Sequence, residues 1–312
     1  MSQPVEVIQR LLANVKKVIV GKDDPIKMVL CCWFSGGHIL IEDFPGTGKT
    51  MLARAIAKSA QVDFKRVQFT PDLLPSDMLG TVVYRQEKAV FEFIKGPIFT
   101  TIFLGDELNR ATPRTQSALL EAMAEGQVTI EGHSYMLNPL IFVMATQNPV
   151  EQHGTFPLPE AQLDRFMMRI SMGYPRMEDE INLIKNQNTA HPIHSLAAVE
   201  TEERIAKVKS LIPKITVGDK VYQYAAQLIA STRKSPDLKL GASPRATIAL
   251  IRASQTMALM DGSTFVRPTH IYNLAKPVMC HRLMPTAEAR ISGKTAETIL
   301  DGILKEIPVP VQ

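Results

Sequence analysis

The sequence predicts an α/β fold, a parallel β-sheet flanked by helices, followed by a smaller domain made of helices. Three observations lead there. Short apolar runs at residues 39–41, 101–104 and 141–145 recur between segments of helical periodicity, the pattern of strands buried on both faces. Each run gives way to polar or Gly/Pro residues, so each reads as a strand ending in a loop. Beyond Gly173-Tyr174-Pro175 the strand signal disappears and only helical periodicity continues.

Taken in order, the chain opens on apolar residues at Val5, Ile8, Leu11, Leu12, Val15 and Val18, which predicts an amphipathic helix. Residues 67–69 and 167–170 are weaker strand candidates that bring the sheet to about five strands. Two alternating segments, residues 82–84 with 90–93 and 127–131 with 133–137, predict β-hairpins that interrupt the α/β order. Helices are expected near 178–188, 198–212, 217–232, 243–260 and 268–283, with a loose tail from Ile307 to Gln312. A chain of 312 residues exceeds the usual size of one core, and the expected division is 1–175 for the α/β domain and 176–312 for the helical one.

Composition excludes several classes. Apolar residues are 45% and charged residues 21%, ordinary globular usage that rules out a disordered chain. The 35 basic residues exceed the 31 acidic ones by too little to argue for nucleic acid. Cys31, Cys32 and Cys280 have no CxxC spacing and are odd in number, which predicts neither a zinc site nor a disulfide framework and fits a reducing cytoplasm. No apolar run approaches the length of a spanning helix, so neither a membrane span nor a secretory leader is expected.

Ile39-Leu40-Ile41 runs into Glu42-Asp43-Phe44-Pro45-Gly46-Thr47-Gly48-Lys49-Thr50, and a strong helix former begins at Met51. In such a strand–loop–helix the glycines let backbone N–H groups turn toward phosphates and the helix start adds its positive dipole end. Lys49 neutralises β/γ charge and Thr50 can hold Mg²⁺. Pro45, Gly46, Thr47, Gly48, Lys49, Thr50 and Met51 are therefore expected to bind a nucleoside triphosphate. The pattern GxxxxGK[ST] asks for Gly where Asp43 stands, so that side chain is expected to point away from phosphate.

The strand at 101–105 delivers Asp106-Glu107 to the C-terminal sheet edge, where ligands of open α/β sheets bind. This is a Walker B arrangement: Asp106 is expected to orient Mg²⁺ and Glu107 to reach the attacking water, because successive strand residues face opposite ways. Taken alone, the pair also reads as a charge cluster at a helix start. The strand at 141–145 delivers Thr146-Gln147-Asn148-Pro149, in which Asn148 can bond γ-phosphate and water or merely open a turn.

Together with residues 114–123 and with Pro159-Glu160-Ala161-Gln162-Leu163-Asp164-Arg165-Phe166, these blocks resemble the MoxR family of AAA+ ATPases, a branch related to magnesium chelatase ATPase subunits and to MCM helicases. The similarity runs in order from about residue 18 to 260. It implies a P-loop AAA+ core with a five-stranded parallel sheet, two hairpin insertions and a small all-helical lid. It further implies that Asn148 is sensor 1 and that Arg165 is the arginine finger reaching a neighbour's γ-phosphate, with Arg169 and Arg114 as rivals. Arg245 is implied as sensor 2, acting within its own chain, and residues 18–21 as a wall beside adenine or simply a helix end capped by Gly21. The bland alternative pairs Arg165 with Asp164 or Glu160 and leaves Arg245 solvated.

The implied activity is Mg²⁺-dependent ATP hydrolysis in a homo-oligomeric ring, a hexamer, driving chaperone-like remodelling or metal-insertion maturation of a partner protein. A separate chain with a von Willebrand factor A domain is the expected partner, and no nucleic acid is expected. Two other readings stay open. A DNA-translocating motor would want basic hairpin tips, whereas these carry Arg85, Glu87 and Lys88 on one side and Glu131, Gly132 and His133 on the other. A nucleotide-dependent switch or scaffold with little turnover is kept open by Asp43.

Overall fold

The structure is a computed structural model that describes residues 2–150, 154–181 and 192–310. Helix α1 (Ser2–Lys16) buries Val7, Ile8, Leu11 and Val15, the stripe that its spacing predicts. Helix α2 (Asp23–Phe34) leads through Gly36 and Gly37 into strand β1 (Ile39–Glu42), and α3 (Lys49–Ser59) follows the glycine loop. The remaining strands of the first half are β2 (Phe64–Gln68), β3 (Gly80–Arg85), β4 (Val90–Lys95), β5 (Ile102–Asp106), β6 (Gln127–Ile130), β7 (His133–Met136), β8 (Phe142–Gln147) and β9 (Met168–Ile170).

Five of these form one parallel sheet, as the sequence predicts, and the fold sets its strand order, β2-β5-β8-β1-β9. The central strands β5, β8 and β1 are buried on both faces, which is why their sequences are continuous apolar runs rather than alternations. The edge strand β2 begins at Phe64, three residues before the run at 67–69 suggests. Its Lys65, Arg66 and Gln68 are exposed, and charge of that kind blunts a sheet edge while hiding the strand from an apolar-pattern search. Phe69 lies just past it, fully buried, with its N–H bonded to the Asp106 carbonyl at 2.8 Å.

Helix α4 (Pro75–Leu79) precedes the first hairpin, and α5 (Pro113–Glu125) starts with Thr112 as its N-cap and ends on left-handed Gly126. The pairs β3–β4 and β6–β7 are separate two-stranded antiparallel sheets, as predicted, and the rings of Phe93 and Tyr135 stack at 4.0 Å to join them. A short helix α6 (Glu160–Leu163) then leads into β9.

The second half carries helices Glu202–Leu211, Asp219–Lys234, Pro244–Met260 and Pro268–Met279 close to their expected places. Among the described residues, three further helices, Pro192–Ser195, Ala287–Ile291 and Ala296–Glu306, escape the periodicity reading. So does a short antiparallel pairing of β10 (Leu238–Leu240) with β11 (Met284–Pro285), too brief to leave a pattern. Residues 177–181 are helical, and the rest of the helix expected at 178–188 lies outside the described residues. The expected loose tail begins at Ile307, which is buried in the core; residues 311–312 lie outside the described residues. One apolar cluster runs from α1 and α2 across the sheet to the helices Pro244–Met260 and Pro268–Met279. All three cysteines are free and buried. Among the described residues, no helix is long and apolar enough to cross a membrane.

Candidate functional site

The parallel sheet brings the ends of β1, β5 and β8 side by side, and the sequence-predicted loop residues 45–51, Asp106, Glu107 and Asn148 stand at or just beyond those ends. After β1 the chain turns at Gly46 and Gly48, both at positive φ (82° and 88°). A side chain at either would meet nothing within 4 Å, so it is the backbone conformation and not crowding that calls for glycine. Gly48 caps the start of α3, leaving the free N–H groups of that helix facing the loop. Lys49 reaches back from the first turn and donates to the carbonyls of Asp43 (2.8 Å) and Phe44 (3.2 Å), while the Thr47 hydroxyl donates to Phe44 O at 3.2 Å. Burial is the main influence on the Lys49 ammonium and lowers its pKa, against the opposing pull of Asp106, Asp43 and Glu107. Pro45 is exposed, and Thr50 and Met51 are half-buried in the first turn of α3.

Asp43 answers its own irregularity. Its carboxylate is buried and turned to the segment after β9, accepting the N–H groups of Met172 and Gly173 at 2.7 Å each, besides that of Phe44 at 2.9 Å. Phe44 stacks on Tyr174 at 5.7 Å in the same contact. Two successive loop residues thus grip the chain where it leaves the sheet.

Asp106 ends β5. One carboxylate oxygen accepts the Thr146 hydroxyl at 2.6 Å, and the other accepts Arg66 Nη2 at 2.7 Å. Glu107 is held differently from the expected strand alternation. It lies beyond the strand in the left-handed region (φ 58°), a conformation that costs a non-glycine residue energy. Its N–H donates to the Thr146 hydroxyl at 2.9 Å and its carboxylate pairs with Arg110 at 3.2 Å. The αL turn, rather than the pleat, aims the second carboxylate. Thr146 and Arg66 therefore belong to the site although sequence reasoning passed over them; an arginine on an edge strand gives no motif to find. Asn148 sits half-buried after β8, with its carboxamide oxygen accepting Val150 N at 3.2 Å as in a turn.

Arg165 and Arg245 lie elsewhere. Arg165 precedes β9 and Gly36 precedes β1, and both line a cavity of about 290 Å³ that also takes in Arg245, Arg252 and Arg282. This is the N-terminal edge of the sheet, opposite the glycine loop, and a strand of this length separates the two edges by about 13 Å. Arg245, implied as acting within its own chain, stands on the helix Pro244–Met260, which starts against Asp164, to which Ser243 Oγ donates at 3.0 Å, and not against the loop. Nor is Arg165 the partner of Asp164, whose carboxylate is taken by Arg282 at 2.7 Å; Arg165 donates to the Leu120 carbonyl at 2.9 Å. Its rival Arg169 is held in the sheet by Glu42 and Glu297, at 3.0 Å each. Arg114 is exposed on the first turn of α5.

The residues at the C-terminal edge fit a phosphate chain with a hard divalent cation: an anion-facing helix start, a half-buried ammonium, a hydroxyl at Thr50 and one carboxylate at Asp106. Residues 38–168 match the family described as ATPase family associated with various cellular activities (AAA), and residues 230–303 match the AAA lid domain. The chain is 44% identical to the uncharacterised protein YeaC of Bacillus subtilis over 306 residues, covering 98% of this chain and 96% of that one. It is 34% identical to Chaperone MoxR1 of Mycobacterium tuberculosis, covering 99% and 84% of the two chains. A crystal structure of a candidate ATPase from Cytophaga hutchinsonii superposes with a TM-score of 0.92 at 37% identity, over 99% of this chain and 96% of the other.

Proposed function

The chain belongs to the MoxR family of AAA+ ATPases, and from that premise we propose that it hydrolyses MgATP at sites shared between neighbouring subunits of a homo-oligomeric, hexameric ring, so as to remodel a partner protein in the cytoplasm. The observation that carries this reading is the division of charge between the two sheet edges. The phosphate loop and its carboxylates stand at one edge, while Arg165 and Arg245 stand at the other, out of reach of their own loop.

In this reading residues 45–51 cradle the phosphates as a Walker A loop, and Lys49 exchanges two loop carbonyls for phosphate oxygens. Thr50 and Asp106 would hold Mg²⁺, which when bound neutralises charge on the β- and γ-phosphates. Glu107 takes the proton of the attacking water, and Asn148 orients that water once its side chain leaves Val150. Arg165 and Arg245 of the next subunit stabilise charge on the transferring phosphoryl group. Hydrolysis then moves the helical lid, residues 176–312, against the core, residues 1–175. The clamp from Asp43 and Phe44 to residues 172–174 is the connection through which the loop would pull.

A protein client is favoured over DNA by the hairpins. Arg85 is paired with Glu92 at 2.8 Å, and the exposed side chains include Tyr84, Val90, Phe91 and Met136. Remodelling or metal-insertion maturation would then proceed with a separate protein carrying a von Willebrand factor A domain. A switch without turnover was supported chiefly by Asp43, and that residue has a structural occupation away from the phosphates.

Phosphate release from wild type, Lys49→Ala, Glu107→Gln and Arg165→Ala, alone and mixed, tests the proposal. Lys49→Ala should lose nucleotide binding, Glu107→Gln should keep binding and lose turnover, and Arg165→Ala mixed with Lys49→Ala should recover activity that neither has alone. Full turnover by Glu107→Gln, or no recovery in the mixture, overturns it.

A further inference from the structure

The cavity at the N-terminal sheet edge holds more positive charge than two arginines account for. Four guanidiniums line it, those of Arg165, Arg245, Arg252 and Arg282, against the single carboxylate of Asp164. Arg282 is buried and neutralised by that carboxylate at 2.7 Å, and it donates besides to the carbonyls of Phe166 and Met167. Among the described residues, Arg165 is bound only to a carbonyl, which carries no formal charge. Arg245 and Arg252 are exposed, and among the described residues no ion pair holds either one.

Arg245 and Arg252 share a helix, Pro244–Met260, and stand seven positions apart on it. Seven residues fall within about 20° of two full turns and rise about 10 Å, so both project from one face. Between them that face presents Ile248, 60% exposed, whereas Ala246, Ala249, Leu250 and Ala253 turn inward to the core. A guanidinium stays charged and offers a fixed fork of donors matched to phosphate oxygens. An open face with two such groups flanking a bare isoleucine, and a third across the cavity on Arg165, is built to be covered by something anionic with an apolar border.

We propose that Arg252 is a third arginine that each subunit lends to its neighbour's nucleotide site, where it contacts the triphosphate chain of ATP alongside Arg165 and Arg245. This rests on the shared-site reading above. Being rooted two turns further along the helix, Arg252 reaches the phosphates from the side opposite Arg245 and orients the chain for in-line attack. It therefore acts on a ligand held by another subunit's Lys49, and its loss is invisible to a lone subunit binding nucleotide.

The test uses full-length Arg252→Ala, whose unchanged melting temperature is checked first because the side chain is exposed. Steady-state ATP turnover should fall about tenfold or more in kcat/KM, while nucleotide affinity measured at dilutions where rings dissociate should match wild type. Mixing Arg252→Ala with Lys49→Ala should raise turnover above the sum of the two alone, since some interfaces then pair an intact loop with an intact Arg252. Wild-type turnover by Arg252→Ala, or a mixture that stays at the sum, overturns the proposal. Arg165→Ala mixed with Lys49→Ala separates the causes. If that mixture recovers and the Arg252 mixture does not, only the role of Arg252 fails; if neither recovers, the shared site fails with it.

Discussion

The hydroxyl of Thr146 donates to Asp106 Oδ1 at 2.6 Å while accepting the N–H of Glu107 at 2.9 Å, so one side chain at the end of β8 sets the position of both acidic residues at the end of β5. Thr146→Val keeps the shape and removes both bonds. It should lower turnover about tenfold or more and stability by about 1–3 kcal/mol, the cost of leaving a buried acceptor without its donor. Phosphate release beside a urea melt measures the two effects, and wild-type turnover in the valine variant would show that the bond holds nothing of catalytic weight.

Arg66 occupies the other oxygen of Asp106 at 2.7 Å and thus stands where a cation bound to that carboxylate would compete with it. Since the guanidinium is partly exposed, the pair is weak. Arg66→Met should lower the Mg²⁺ concentration that half-saturates turnover by roughly twofold to fivefold, the range of a partly exposed ion pair. A titration of Mg²⁺ at fixed ATP decides it; a higher half-saturation point would mean that Arg66 helps the metal site instead of guarding it.

Asp43→Ala strips the acceptor from three backbone N–H groups, those of Phe44, Met172 and Gly173. A stability loss of about 2–4 kcal/mol is expected, with Asp43→Asn losing less because its amide oxygen can still accept. Nucleotide affinity should weaken together with stability in the alanine variant, since the same carboxylate anchors the loop entrance. Equilibrium unfolding and a fluorescent-nucleotide titration check both, and equal affinities in all three proteins would detach the clamp from the loop.

His38 predicts a pH effect. Val143 N–H donates to its Nδ1 at 3.1 Å, which leaves the ring proton on Nε2 facing Met123 O at 3.2 Å. Burial is the main cause that lowers its pKa from 6.5 to about 4, with Lys209 adding to the effect and the Met123 carbonyl opposing it. The unfolded chain therefore binds the proton first as pH falls: stability present above about 6.5 is lost between there and about 4, by roughly 3 kcal/mol in all. His281, whose pKa burial also drives down, acts with the same sign. Urea midpoints of wild type and His38→Gln between pH 7 and 4 test this, and parallel curves would assign the loss to other groups.

The residues of the loop at 45–51, the acidic pair and the four sheet strands other than β2 were legible in the sequence because each rests on local chemistry: a period, a glycine at positive φ, a lysine opening a helix. The charged edge strand β2 was legible only at its end, near 67–69, and the final two helices were not, since Lys65 and Arg66 break the apolar run and the last helices follow no motif. What the sequence determined by itself was the kind of chemistry and the residues able to perform it. Which of them share a site was decided only by the fold. Asp43 meets Met172 and Gly173 across 129 and 130 positions, and Asp106 meets Thr146 across 40, because the strand order β2-β5-β8-β1-β9 lays distant segments side by side. The same parallel sheet sends the loop to one edge and Arg165, Arg245 and Arg252 to the other, and no local pattern along a chain records which edge a residue will reach.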